Sequence, residues 1–111
     1  MKTTKDATGE IMVVGRKFIA DFGENKYLLD FISESELTIT VIQGFGKNQT
    51  IEYRRTVIRP NIHMVTWQET DRSTVTHIED FEEGLVYTNT TLPDLTLLPY
   101  KGPLSPADVS K

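Results

Sequence analysis

The sequence predicts an all-β protein, a single up-and-down antiparallel barrel of about eight strands. Three observations lead there. Short runs of alternating apolar and polar residues fill most of the chain, and that period of two places one face of each run in a core. Turn-type sequences separate the runs. No window of helical length shows a 3.6-residue period. Consecutive antiparallel strands with short links close most simply into a barrel, and an eight-stranded sandwich is the alternative.

The strands follow in order. Arg16 to Phe22 sets Phe18, Ala20 and Phe22 in phase, and Lys26 to Ile32 sets Tyr27, Leu29 and Phe31 in phase. Glu36 to Ile42 carries Leu37, Ile39 and Val41. Asn48 to Ile58 is longer, with Ile51, Tyr53, Arg55 and Val57 on one side. Ile62 to Glu69 carries His63, Val65, Trp67 and Glu69, and Ser73 to Phe81 carries Val75, His77, Glu79 and Phe81. Leu85 to Thr91 offers Leu85, Tyr87 and Asn89. Leu95 to Tyr100 closes the set, with Pro99 suiting an edge or a strand terminus. The barrel is expected over residues 10–101, between a flexible tail at 1–9 and a proline-containing tail at 102–111.

Folding the hairpins about their turns gives explicit pairings. Around Pro60, Val57 faces His63, Arg55 faces Val65 and Tyr53 faces Trp67. Around Gly23, Phe22 meets Tyr27, Ala20 meets Leu29 and Phe18 meets Phe31. Around Gly84, His77 faces Tyr87. Each hairpin keeps one continuous apolar face, as register demands.

Composition narrows the function. The chain has 111 residues, enough for one core, and 12 basic against 16 acidic residues give a net charge of −4. An acidic chain without a basic patch argues against a nucleic-acid partner. No run is long enough for a membrane span, and no signal segment is recognised, so a cytoplasmic location is expected. There is no cysteine, which removes disulfides, thiolate catalysis and cysteine-ligated metal. No metal site is expected, because neither a His-x-His pair nor a His-Glu-x-x-His spacing occurs, and no cofactor is expected, with no phosphate-binding glycine loop in the chain. The sequence leaves a homodimer open.

The informative position is Glu69. If Trp67 points inward, alternation sends Glu69 the same way, and a carboxylate in an apolar shell is costly unless paired or protonated. Such a position suggests a pocket rather than a filled core. Trp67, Glu69, His77, Tyr87, Tyr27, Phe22 and Tyr53 are the candidate ligand-binding residues. His63, beside the Pro60-Asn61 turn, is expected at the rim, and Glu79, before a turn, in solvent. Either Arg54 or Arg55 could face the cavity.

Three segments carry a family resemblance: Gly15-Arg16-Lys17-Phe18-Ile19, Tyr27-Leu28-Leu29-Asp30-Phe31, and Val65-Thr66-Trp67-Gln68-Glu69 leading into Thr74-Val75-Thr76. From Gly15 to about Leu92 the chain resembles lipocalin-like (calycin) barrels of the molybdenum cofactor biosynthesis protein F-like (MoaF-like) branch and, more distantly, the phenolic acid decarboxylases. Glu79-Asp80-Phe81 and Val86-Tyr87-Thr88-Asn89 fit the MoaF-like branch. Glu69 matches the pocket carboxylate of the decarboxylases. Their tyrosine pair has no counterpart, since Ala20 and Phe22 stand there, and Thr38-Ile39-Thr40-Val41 lacks their arginine. The resemblance therefore implies the barrel without hydroxycinnamate decarboxylation.

Two functions follow as expectations. The first is a small-molecule-binding barrel for a compact, partly apolar ligand with one polar or cationic group for Glu69 to meet. The second is a small lyase or isomerase with Glu69 and His77 as an acid–base pair, oriented by Tyr87.

Overall fold

Alternation requires every strand to bury one face, and eight strands joined by short turns bury all of those faces at once by closing. The computed structural model describes residues 9–107, and among them the chain does so. The strands are β1 (Lys17–Asp21), β2 (Lys26–Phe31), β3 (Glu36–Gln43), β4 (Gln49–Arg59), β5 (Ile62–Gln68), β6 (Thr74–Asp80), β7 (Leu85–Thr91) and β8 (Leu97–Pro106). They form a closed barrel in sequence order, each antiparallel to the next, and β8 pairs back onto β1. The sandwich alternative is excluded.

The core is the interior of that barrel. Phe18, Leu29, Phe31, Leu37, Val65 and Val86 are almost fully buried, with Trp67, Tyr53 and Val75 beside them and Phe22 and Tyr27 packed against the cluster. Ile11 and Val13, upstream of β1, are also buried and belong to the same core.

The β4–β5 register is the one the sequence predicts, with Val57 paired with His63, Arg55 with Val65 and Tyr53 with Trp67. The Pro60-Asn61 turn joins Arg59 to Ile62, and a one-residue shift between Val57 and Arg59 brings the strands into this pairing. Proline suits the first central position of such a turn and Asn61 takes a positive φ of 67° at the second, which asparagine tolerates better than most residues.

Two hairpins differ from expectation. At Gly23, Ala20 pairs with Tyr27 and Phe18 with Leu29, two residues from the predicted register. A two-residue slip preserves the face, so the inward set survives. At Gly84, Asp80 pairs with Leu85, so Phe81-Glu82-Glu83-Gly84 is a four-residue connection and His77 pairs with Thr88. That is a one-residue slip, and it reverses the faces of β7. Val86 and Thr88 point inward, while Tyr87 is 42% exposed with Lys101 Nζ lying 5.8 Å from its ring centre.

The ends also shift. β8 begins two residues later than predicted and runs on to Pro106, so residues 102–106, expected in a tail, are strand. Gly102 makes that closure possible: a Cβ there would stand 1.8 Å from the Asp21 carbonyl oxygen, closer than any side chain allows. Of the expected N-terminal tail, residues 1–8 lie outside the described residues.

Candidate functional site

The barrel has two unlike ends. The β4–β5 and β6–β7 turns mark one, and the segment before β1 is tied there. Ile11 N donates to Asn61 Oδ1 at 2.7 Å, Asn61 Nδ2 donates to the Gly9 carbonyl at 3.2 Å, and Asn61 N donates to Glu10 Oε1 at 3.0 Å. His63 Nε2 pairs with Glu10 Oε2. His63 is 1% exposed, not the rim residue the sequence suggested, because residues 9–13 cover it. A contact 53 positions away in sequence leaves no local signal.

The opposite end is open. Here a cavity of about 80 Å³ reaches into the barrel between the β1–β2 turn, the β3–β4 hairpin and the upper halves of β5 to β8. Its wall is mostly apolar, with Phe22, Tyr27, Leu29, Ile39, Trp67 and Val75 among the lining residues. Phe45, Gly46, Lys47 and Gln49 stand at the β3–β4 side of the mouth. Tyr27 Oη donates to the Phe45 carbonyl at 3.0 Å and ties that hairpin to β2.

Two polar centres face this cavity. His77, on β6, lies against Trp67 with ring centres 4.8 Å apart and against Phe22 at 6.2 Å. Its Nδ1 is 2.9 Å from Glu79 Oε2, two residues along the same strand and on the same face. Glu79 is 1% exposed rather than solvated, and Oε1 has no hydrogen-bond partner among the described residues. A buried carboxylate so placed fixes the ring plane and commits Nδ1. Nε2 is then the nitrogen left for a ligand.

Glu69 is the second centre. It follows the last residue of β5 and is half-buried, and Trp67 Nε1 donates to its Oε2 at 3.2 Å. Burial pushes its carboxyl above the ordinary value; the indole hydrogen bond opposes that shift. Burial, with the Glu69 charge nearby, likewise raises the Tyr27 phenol. Both effects mark a mouth that is drier than open surface.

The cavity thus brings together five of the seven predicted residues: Phe22, Tyr27, Trp67, Glu69 and His77. The other two stand elsewhere. Tyr87 is on the outer face. Tyr53 is buried in the core, and its hydroxyl donates to the Ser33 carbonyl at 2.7 Å. Arg55 shares the inward phase but reaches the closed end, where Nη2 meets Glu34 Oε1 at 2.9 Å, and Arg54 is exposed. Thr88, Thr90 and Tyr100 line the cavity and were not anticipated. Thr88 was hidden by the phase error at Gly84, and Tyr100 by its assignment to the end of a strand.

Among the described residues no group of three or more histidines and carboxylates is arranged to hold a metal ion, and no helix is long and apolar enough to cross a membrane.

Comparison with known proteins places the barrel. The MoaF-like family model matches residues 14–105. A crystal structure from Burkholderia vietnamiensis, described as that of a "putative beta-lactamase", superposes with a TM-score of 0.81 at 23% sequence identity. That alignment covers 95% of this chain and 100% of the Burkholderia chain, and at this identity the likeness is one of fold. No curated protein matches the chain.

Proposed function

The chain belongs to the MoaF-like family, and on that premise we propose that its barrel is a binding module for a compact, partly apolar small molecule. The carrying observation is the cavity itself, an aromatic-walled recess with His77 inside and Glu69 at its mouth. A few convergent polar groups in an apolar recess are the usual composition of a small-molecule site. The ligand's apolar part rests against Trp67, Phe22 and Leu29, and a hydrogen-bonding group reaches His77 Nε2. Keeping an incompletely partnered buried carboxylate at Glu79 costs stability, which a role in orienting His77 would explain.

The test is a thermal-shift screen of metabolites, amines and aromatic acids on the wild-type protein and on His77→Phe. A ligand that binds only the native state raises the melting temperature by mass action. At least one compound is expected to stabilise the wild type and to lose that effect in His77→Phe. A screen that is flat for the wild type contradicts the reading.

A catalytic reading has one specific observation in its favour. A histidine held at Nδ1 by a buried carboxylate is the base-and-orienter half of an acid–base site. On that reading Glu79, not Tyr87, orients the base, and His77 Nε2 moves a proton on a bound lyase or isomerase substrate.

A further inference from the structure

The sign of the charge around the cavity limits what enters it. Glu69 stands at the mouth and Glu79 lies directly behind His77. With His77 neutral these three groups carry two negative charges; with His77 protonated they carry one. The lining includes no arginine, and its one lysine, Lys47, stands at the mouth and is exposed. A residual charge inside a recess shielded from water acts more strongly on a guest than the same charge on open surface. An anion entering here meets a net negative charge in either state of His77.

The walls favour the same sign. Phe22, Tyr27, Trp67 and Tyr100 line the recess, with Phe45 beside its mouth. The Phe22 ring centre is 6.2 Å from that of Tyr27 and 6.3 Å from that of Tyr100, so rings from three neighbouring strands and turns cluster at one side. Ring faces carry negative potential and attract ammonium groups lying against them. Trp67 Nε1 holds Glu69 Oε2, which leaves the other carboxylate oxygen for a guest at the edge of the indole.

We propose that the pocket selects small organic cations of the alkylammonium class, with the ammonium head among the rings and against Glu69. This rests on the binding reading above and adds to it the charge of the ligand. A cation also relieves the cost of a half-buried carboxylate, which is consistent with the upward displacement that burial imposes on Glu69. A head group wrapped in methyls suits the recess better than a bare ammonium, because it brings apolar surface to an apolar wall and sheds less hydration.

The test is a calorimetric titration of the wild-type protein with choline, with 3,3-dimethyl-1-butanol (the same shape without the charge) and with indole. Choline is expected to bind at least roughly tenfold more tightly than the alcohol, the factor expected for a desolvated cation–π site. Glu69→Gln, which keeps the size and removes the charge, is expected to weaken choline several-fold while leaving the alcohol unchanged, with a cooperative melting curve showing the fold intact. The comparison of choline with the alcohol needs no variant and stands even if Glu69→Gln folds poorly. Equal affinity for the two, no binding of choline, or an unchanged choline affinity in a folded Glu69→Gln overturns the proposal. If the alcohol or indole binds while choline does not, the charge assignment fails and the binding reading stands. If none of the three binds, both fail.

Discussion

His77 and Glu79 share one strand and one face, and their side chains meet inside the barrel with Nδ1 2.9 Å from Oε2. Both are buried, so neither has bulk water to fall back on. Removing one partner leaves the other stranded in an apolar interior, whereas removing both leaves only a packing problem. His77→Leu alone is therefore expected to destabilise the fold by about 3 kcal/mol. The double variant His77→Leu, Glu79→Leu is expected to recover most of that loss. Urea or thermal unfolding of the two singles and the double gives the coupling directly.

Glu69 behaves differently, because it sits at a half-dry mouth. Its carboxyl lies above the ordinary value of 4.5, mainly through burial. The folded state therefore holds the proton more tightly than the unfolded chain. That contribution is fully present below the unfolded value and is lost as pH rises through the folded one. Glu69→Leu is expected to gain melting temperature relative to the wild type as pH rises from about 4 to about 7. Melting curves across that range check it, and a difference that shrinks with pH would contradict it.

Tyr53 and Tyr87 separate core and surface from cavity. Tyr53→Phe loses the hydrogen bond to the Ser33 carbonyl and is expected to cost about 1 kcal/mol. Tyr87→Phe keeps the ring beside Lys101 and is expected to fall within about 0.5 kcal/mol of wild type. Both variants are expected to leave the affinity of a cavity ligand unchanged, as measured by titration.

Asn61 holds the closed end together. It is 3% exposed, takes a positive φ of 67°, and its side chain bonds Ile11 N, the Gly9 carbonyl and Glu82 Oε2. Asn61→Gly removes only the bonds, while Asn61→Ala adds backbone strain. The alanine variant is expected to be less stable than the glycine variant by about 1 kcal/mol. Unfolding curves of the pair measure the difference.

These residues also mark what the sequence discloses. The β4–β5 hairpin was legible because Tyr53, Arg55 and Val57 alternate in step with His63, Val65 and Trp67 about the Pro60-Asn61 turn. The irregularity between Val57 and Arg59 that reconciles this pairing with a two-residue connection left no signal. The β6 phase was legible because Val75, His77 and Phe81 alternate against Thr74, Thr76 and Asp80. On β7, Leu85 and Tyr87 compete with Val86 in the opposite phase, so alternation is mute and the turn length decides. The turn holds four residues, and Tyr87 left the site. Glu79 was legible as an inward position, but its charge argued for solvent until the geometry showed His77 beside it. Glu10 was illegible in principle, since its partner His63 is brought to it only by closure of the barrel.

If the recess around Trp67 and His77 is a binding site, the Trp67 indole senses its occupant. The chain has a single tryptophan, and its indole lines the recess. The decisive measurement is therefore Trp67 emission during titration with choline, 3,3-dimethyl-1-butanol and indole analogues that do not themselves fluoresce. A saturable change is expected in the wild type, and its loss in a folded Thr90→Phe variant whose new ring fills the cavity. Emission that stays flat, or a change that survives in Thr90→Phe, would contradict the binding reading.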